Sequence, residues 1–142
     1  MVVIGMHAYI LNNTGRTAEV SPFTSSYETL NNVPIVDAII AYDCPFSGKT
    51  YLLVCHNALF VSSMTHNLIP PFILREANII VNDVPKIQSP EPDKTTHSIR
   101  FPDSEFRIAL SLQGIFSYFL TRKPTRNELV SYEDILIMTC RY

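Results

Sequence analysis

Tryptophan is absent from this chain of 142 residues, and glycine and cysteine are scarce, with four and three copies. Four isolated glycines exclude the glycine-rich loop that cradles phosphates in nucleotide-binding proteins. The nearest approach is residues 46–50, Phe-Ser-Gly-Lys-Thr, which copies only the end of a P-loop. Asp43 stands where the earlier glycine belongs, and a β-type run follows instead of a helix. We therefore interpret this stretch as a hairpin turn.

Charge is also sparse, since charged residues make up 17% of the chain and the net charge is −2. Nucleic acids and anionic membranes are bound by concentrated positive surfaces, so neither is expected as a partner. One basic cluster follows two aromatic residues and has an acid beside it: Tyr118, Phe119, Arg122, Lys123, Arg126 and Glu128. Stacking on a single strand of nucleic acid is the alternative, but we interpret the cluster as a solvated turn.

Long hydrophobic runs are missing, and none approaches the ~20 apolar residues of a membrane span. The first residues, MVVIGMHAYIL, lack the basic leader and cleavage site of a signal peptide. The cysteines, Cys44, Cys55 and Cys140, are widely spaced and odd in number, which predicts reduced thiols. Together these features predict a soluble, cytoplasmic protein.

Candidate catalytic and metal sites are weak. His7, His56, His66 and His97 show none of the three- or four-residue spacings of helical metal ligands, so we predict no metal and no cofactor. Ser62, Ser63 and His66 are close in sequence, and Asp37 or Asp43 is available as a third member of a triad. Neither serine has a nucleophile-elbow glycine pattern, and a triad is defined in space. No catalytic residue is assigned.

What the chain does contain is β-type patterning with ten prolines and 46% hydrophobic residues. Residues 33–42 are apolar on both faces apart from Asp37, and residues 50–59 form a second such run. Proline and glycine between them predict a turn over 43–48. We expect two buried strands joined as a hairpin.

The rest of the chain predicts short strands and two helical turns in one domain over residues 1–142. Thr125 and Glu128 have the spacing of a capping box. We expect a turn over 12–15 that pairs a strand at 17–20 back on 8–11, and loops over 21–32 and 88–98. Further strands are predicted at 79–81, 99–101, 106–112, 115–120 and 135–138, and helical turns at 72–77 and 125–132. The fold class is therefore all-β, as a barrel or sandwich.

Asp37 is the acid that most requires an explanation, because it interrupts an apolar strand. A buried carboxylate must be paired, hydrogen-bonded or protonated, since burial of a bare charge is costly. We expect instead an edge position in which the carboxylate reaches water.

The order of several segments resembles the protease region of copia-type retrotransposon polyproteins. The matching segments are residues 3–9, 14–16, 20–23, 32–36, 57–61, 64–69, 73–74 and 77–79. In that family a strand ending in a "VLYVP"-like segment is followed by "NLLS" and a helical turn. This chain has Asn-Ala-Leu-Phe-Val at 57–61 and Asn-Leu-Ile at 67–69. The resemblance covers about three-quarters of the chain.

The resemblance implies a closed retropepsin-like barrel that works as a homodimer on polypeptide segments of a polyprotein. Each subunit of such an enzyme gives one aspartate from an Asp-Ser/Thr-Gly loop, and the two carboxylates share a proton. That loop lies just ahead of the residues matching Val3, Ile4 and Gly5, and no such triplet occurs in this sequence.

We therefore expect an amino-terminally truncated or degenerate domain without proteolytic activity. The alternative is a non-catalytic β-rich module for protein interaction. Whether residues after Gln88 belong to the barrel, and whether 121–142 form a carboxy-terminal extension, is left open by the sequence.

Overall fold

Ten strands, two short α-helices and one 3₁₀ turn (Lys86–Gln88) form the part of the chain that the structure describes, so the all-β prediction is confirmed. The computed structural model describes residues 1–20, 30–93, 95–104, 106–131 and 134–139. The strands are β1 (Val3–Ile4), β2 (Tyr9–Val20), β3 (Leu30–Asp43), β4 (Thr50–Phe60), β5 (Ile80–Asn82), β6 (Ser98–Phe101), β7 (Phe106–Ala109), β8 (Ser111–Gln113), β9 (Phe116–Tyr118) and β10 (Ile135–Ile137). The helices are α1 (Pro71–Glu76) and α2 (Arg126–Ser131).

The largest sheet has the strand order β1-β4-β3-β2, with β10 also paired to β4. Antiparallel β3 occupies one edge of β4 along its length. The other edge is shared by two parallel strands, β10 at Leu52–Val54 and β1 at Leu59–Phe60. The remaining strands form a three-stranded sheet, β5-β6-β7, and the hairpin β8-β9. Among the described residues these pairings form open sheets and do not close into a barrel.

The predicted hairpin of two buried strands is confirmed as β3 and β4, with its turn at the predicted position. Gly48 has a φ of +72°, a conformation that glycine adopts without strain. One face of the hairpin packs on Ile99 and Ile108 of the three-stranded sheet. On the other face Leu129 of α2 packs against a second cluster, which comprises Ile39, Ala41, Leu52 and Val54. Cover on both faces explains why these strands lack polar alternation.

The predicted turn at residues 12–15 is wrong, because β2 runs through it as one strand paired with β3. The pairing register jumps between Asn13 and Thr17, so the extra residues are absorbed as an irregularity in the strand. Thr14 Oγ1 donates to the Ile35 carbonyl over 2.6 Å, and Asn13 Oδ1 accepts from the Gly15 N–H over 2.9 Å. The Asn-Asn-Thr-Gly signal therefore marks a bulge.

The segments predicted as loops and as a possible carboxy-terminal extension are described only in part by the structure. Of the loop expected at 21–32, residues 21–29 lie outside the described residues, and Leu30 begins β3. The segment 88–98 is largely exposed up to Asp93, whereas Thr96, His97 and Ser98 are buried. Within 121–142, β10 pairs with β4, and the backbone of Arg122 bonds that of Ala41 in both directions.

Candidate functional site

β1 is held on both sides by backbone hydrogen bonds, and this arrangement is called here the β1 junction (residues 2–6 with 59–61 and 64–68). Towards β4, Leu59 N donates to Val2 O and Val61 N donates to Ile4 O, both over 2.9 Å. On the opposite side, Val3 and Leu68 exchange N–H···O bonds of 2.9 and 2.8 Å. A strand of two residues is thereby fixed in the interior, where Val2 and Ile4 are fully buried.

Gly5 lets the chain turn away from β1 against the segment that follows β4. Its N–H donates to Asn67 Oδ1 over 2.8 Å, and the next N–H, of Met6, donates to Met64 O over 2.9 Å. A Cβ atom at Gly5 would lie 2.5 Å from Met64 O and 3.0 Å from His66 O. Both obstacles are backbone atoms, so this position requires the absence of a side chain.

Asp37 lies next to the β1 junction, at the irregularity between β3 and β4. Its Oδ1 accepts from the Asn57 N–H over 3.1 Å, and its Oδ2 accepts from Asn12 Nδ2 over 3.4 Å. The Nδ1 atom of His56 lies 3.3 Å from Oδ1. Asp37 therefore receives contacts from both neighbouring strands.

The expected edge position of Asp37 is wrong: β3 is an interior strand, and the residue is only 8% exposed. Burial acts to raise the pKa of this carboxyl group. Hydrogen bonds lower the pKa, and they come from the Asn57 N–H and from the side chains of Asn12 and His56. Their effect is larger than that of burial, so the pKa of Asp37 lies below its ordinary value. The carboxylate is thus ionised and hydrogen-bonded, the alternative to solvent exposure.

The Asp37 contacts shape the end of β4 that meets β1. Asn57 adopts a φ of +53°, an uncommon conformation for a non-glycine residue. Asp37 binds its N–H, and Arg16 Nη2 donates to its side-chain Oδ1 over 2.6 Å. At the neighbouring position, Thr139 Oγ1 accepts from His56 N over 2.7 Å and donates to His56 O over 3.2 Å. Side chains from β2, β3 and the residues after β10 therefore converge on residues 56–57.

Among the described residues, no hydrogen bond joins a nucleophilic side chain to the side chains of the Asp37–His56 pair. The Thr139 hydroxyl is engaged with the backbone of His56. Ser62, Ser63 and His66 are exposed, and no hydrogen bond among the described residues joins either serine to that histidine. The contacts of Asp37 support a structural role, in which the carboxylate stabilises irregular backbone.

The other sequence candidates lie apart from one another. His7 is exposed, and buried His97 has its Nε2 atom 2.8 Å from Ser117 Oγ. Cys44 and Cys55 are free thiols, and burial raises the pKa of Cys55 to about 12; Cys140 lies outside the described residues. Within the described part of the chain, no three His, Cys, Asp or Glu side chains are grouped as metal ligands.

Within the basic cluster, Arg122 is held by two ion pairs, whereas Lys123 and Arg126 are exposed. Arg122 Nε donates to Asp43 Oδ2 over 2.8 Å, and its Nη2 donates to Glu128 Oε2 over 2.6 Å. Phe119 packs edge-on against Tyr42, with ring centroids 5.8 Å apart. The predicted capping box is confirmed, because Thr125 N donates to Glu128 Oε1 and Glu128 N donates to Thr125 Oγ1. These contacts favour a structural turn.

An open cavity of about 440 Å³ adjoins this turn and is lined by Lys49, Thr50, Leu52, Glu128, Ser131 and Asp134. The Ser131 hydroxyl donates to the Glu128 carbonyl over 3.1 Å. The charges around the cavity are mixed, and the described lining residues offer no paired base and nucleophile.

Glu128 is expected to make stability depend on pH in the acid range. Its hydrogen bonds, first from Arg122, lower its pKa from 4.5 to about 2. Ionised Glu128 therefore stabilises the fold above about pH 4.5, and this contribution is lost as the pH falls towards 2. We expect the melting temperature of Glu128→Gln to decline less between pH 5 and pH 2 than that of the parent chain.

The matched control for this titration is Glu91→Gln, since Glu91 is an exposed carboxylate on a loop. It should leave the acid profile of the parent chain unchanged. Parallel acid profiles for Glu128→Gln and the parent would contradict the role given to the Arg122–Glu128 pair.

A scan against protein-family models, a search of curated proteins and a search of solved structures found no match. Among the described residues, no helix is both long enough and apolar enough to cross a membrane.

Proposed function

We propose that this chain is a retropepsin-like domain of a copia-type retrotransposon polyprotein, and that its 142 residues lack proteolytic activity on their own. The single observation that carries the proposal is the β1 junction. Three of the segments that carry the sequence resemblance meet there. Residues 3–9 are more than forty positions ahead of the other two in the sequence. Residues 57–61 and 64–69 are separated from each other by a turn.

The contacts within the junction explain why these segments should be matched in order. Residues 59–61 and Leu68 bond β1 from its two sides, and Gly5 fits against the backbone of Met64 and His66. Each segment therefore constrains the other two. A shared order of such segments is what a common scaffold would preserve, whereas a chance resemblance in sequence would not require them to touch.

The catalytic aspartate that the resemblance implies has no counterpart in these 142 residues. The resemblance puts the Asp-Ser/Thr-Gly loop directly ahead of the residues matching Val3, Ile4 and Gly5. The parallel register between β1 and β4 directs any chain ahead of Val3 towards residues 56–57. Asp37 is close to that point, but its carboxylate is occupied by Asn57, Asn12 and His56. It therefore does not substitute for the aspartate of the family.

Three further properties of the protein are proposed because the resemblance implies them. These are a barrel completed from the open sheets, assembly as a homodimer, and polypeptide segments of a polyprotein as substrates of the ancestral enzyme. A cytoplasmic location is part of the same proposal, in keeping with the free thiols of Cys44 and Cys55.

The reading frame upstream of the Met1 codon tests this proposal. We expect it to encode Asp-Ser-Gly or Asp-Thr-Gly shortly before that codon. The chain extended by those residues should cleave a peptide substrate in a pepstatin-sensitive manner, because the extension supplies one carboxylate per subunit for the shared-proton pair. The 142-residue chain should not cleave it.

Replacing the aspartate of the upstream triplet by asparagine is the control, and it should abolish cleavage while leaving the melting temperature unchanged. Pepstatin-sensitive cleavage by the 142-residue chain would contradict the claim that it is inactive. An in-frame stop codon upstream of the Met1 codon, with no Asp-Ser/Thr-Gly triplet between the two, would contradict the polyprotein origin.

A second candidate, a non-catalytic interaction module, is favoured by the β8-β9 hairpin. Residues 111–118 contain no charge, and Ile115 and Phe116 are 88% and 71% exposed. A two-stranded hairpin is marginally stable by itself, and exposed apolar patches often mark protein contacts. An upstream stop codon would favour this module over the protease-derived domain.

A further inference from the structure

A histidine and a serine from separate segments of the chain meet beside the β8-β9 hairpin. His97 directly precedes β6, and its Nε2 atom lies 2.8 Å from the Oγ atom of Ser117 on β9. His97 is 5% exposed, whereas Ser117 is an exposed residue. A buried imidazole within hydrogen-bond distance of an accessible hydroxyl has the geometry of a general base and its serine nucleophile.

The backbone holds His97 in an uncommon conformation. Its φ is +54°, in the left-handed region that few residues with side chains adopt. The His97 carbonyl accepts from the Leu110 N–H over 2.9 Å, and the hydroxyl of Ser98 donates to the Thr95 carbonyl over 2.6 Å. Residues kept in such conformations by their surroundings cluster at functional sites. This turn therefore fixes the imidazole against Ser117.

The hairpin also directs the N–H of Ser117 away from the neighbouring strand. The two-residue loop at 114–115 has glycine first, and Gly114 has a φ of +63°, which is typical of a type II′ turn. In such a hairpin the residues that flank the loop exchange both backbone hydrogen bonds. Bonded and non-bonded pairs alternate along antiparallel strands, so the next pair, Leu112 and Ser117, points its N–H groups outward. The Ser117 N–H can thus donate to an oxyanion formed where the hydroxyl attacks.

We propose that Ser117 is the nucleophile of an acyl-transfer site, that His97 is its general base, and that its substrates are esters of apolar acids. Residues 111–118 carry no charge, and Leu112, the register partner of Ser117, is 45% exposed. A charged acyl group would find no counter-charge on this hairpin, whereas an apolar one can pack on Leu112. The site uses none of the residues of the β1 junction, so the proposal goes beyond the proposed function.

The reaction balances with an ester and water as its two reactants. In the tautomer with its proton on Nδ1, His97 accepts the hydrogen bond of the Ser117 hydroxyl through Nε2. Ser117 Oγ attacks the ester carbonyl carbon while Nε2 takes the hydroxyl proton. The bond from that carbon to the alcohol oxygen then breaks, and the alcohol leaves with the proton from His97. Water attacks the resulting acyl-serine in the same way, and the carboxylic acid is released as the proton returns to Ser117 Oγ.

Hydrolysis of p-nitrophenyl butyrate by the whole 142-residue chain tests the proposal. We expect Ser117→Ala to lower kcat/KM at least about a hundredfold, because the nucleophile and the proton transfer that activates it are both lost. The acetate ester should be a poorer substrate of the parent chain than the butyrate ester, since its acyl group has less apolar surface to bury.

Ser111→Ala is the matched control, since Ser111 is an exposed serine on β8 of the same hairpin. It should hydrolyse the ester as the parent does. His97→Asn should lower kcat/KM as much as Ser117→Ala, because asparagine accepts a left-handed backbone but cannot take the proton. The melting temperatures of the two serine variants should match that of the parent, because both side chains are exposed. This measurement separates lost chemistry from lost folding.

A covalent label identifies the attacking atom. Diisopropyl fluorophosphate reacts with activated serine hydroxyls with loss of fluoride, and mass spectrometry should find the label on Ser117 of the parent chain. Exposed His7 and His66 can also attack p-nitrophenyl esters, and the site of the label separates their background from the reaction of Ser117.

Either of two results would overturn the proposal. One is equal kcat/KM for Ser117→Ala and Ser111→Ala, because any hydrolysis would then come from other groups. The other is absence of the fluorophosphate label from Ser117 in the folded parent chain. Equal use of the acetate and butyrate esters would contradict the apolar class of substrate.

Discussion

Gly5→Ala is expected to destabilise the fold by about 3 kcal/mol, because the new methyl group has no space. The Cβ atom would meet the backbone of Met64 at 2.5 Å and that of His66 at 3.0 Å. Relief requires the segment 64–68 to move away from β1, which would break the Val3–Leu68 and Met6–Met64 hydrogen bonds. Urea unfolding should show the loss as a lower midpoint with an unchanged slope.

Gly114→Ala is the control for this substitution. Gly114 has a φ of +63°, and no described residue beyond its two chain neighbours lies within 4 Å of a Cβ atom placed there, so alanine meets backbone strain but no clash. The cost should be about 1 kcal/mol. If Gly5→Ala were no more harmful than Gly114→Ala, the close packing of the β1 junction would be contradicted.

Asp37→Ala is expected to destabilise the protein by about 2 kcal/mol, since the partly buried donors Asn57 N–H and Asn12 Nδ2 lose their acceptor. The Asn57 N–H would lose its partner at a position with a strained backbone. Asp37→Asn keeps one carbonyl oxygen and nearly the same shape, so its cost should be smaller, about 1 kcal/mol. Denaturant unfolding at pH 7 measures both.

Asp103→Ala, at an exposed turn position, is the matched control and should change stability little. The pKa of Asp37 lies below its ordinary value, so its contribution is present above the ordinary carboxyl pKa and is lost as the pH falls through the lowered one. Equal stability of Asp37→Ala and Asp103→Ala would show that the carboxylate does not stabilise the backbone at Asn57.

The parts of the fold that were predictable are those in which local patterning and tertiary structure agree. Residues 33–42 and 50–59 read as strands because they are apolar on both faces, and both faces are covered. The capping box at Thr125 and Glu128 was predictable because its hydrogen bonds join residues three positions apart.

Other parts were set by distant contacts that leave no local signal. Asn12–Gly15 has the composition of a turn, but it forms a bulge inside a strand that pairs with β3 on either side of it. Asp37 was identified as unusual, yet its partners lie on other strands, so the sequence could not distinguish a buried position from an edge. Asn57 and Thr139 carried no signal, since their roles depend on backbone geometry and on β10 reaching β4.

The two parallel pairings on β4 have a consequence for how the chain folds. Hairpin β3-β4 joins neighbouring residues, and it can form as soon as both strands have been synthesised. Val3 must instead find Leu59, more than fifty positions away, and Ile135 must find Leu52, more than eighty positions away. Closing such long loops costs conformational entropy before the stabilising contacts have formed, and this slows folding. During translation, the edge of β4 at Leu52–Val54 therefore stays open to other strands until residues 135–137 have left the ribosome.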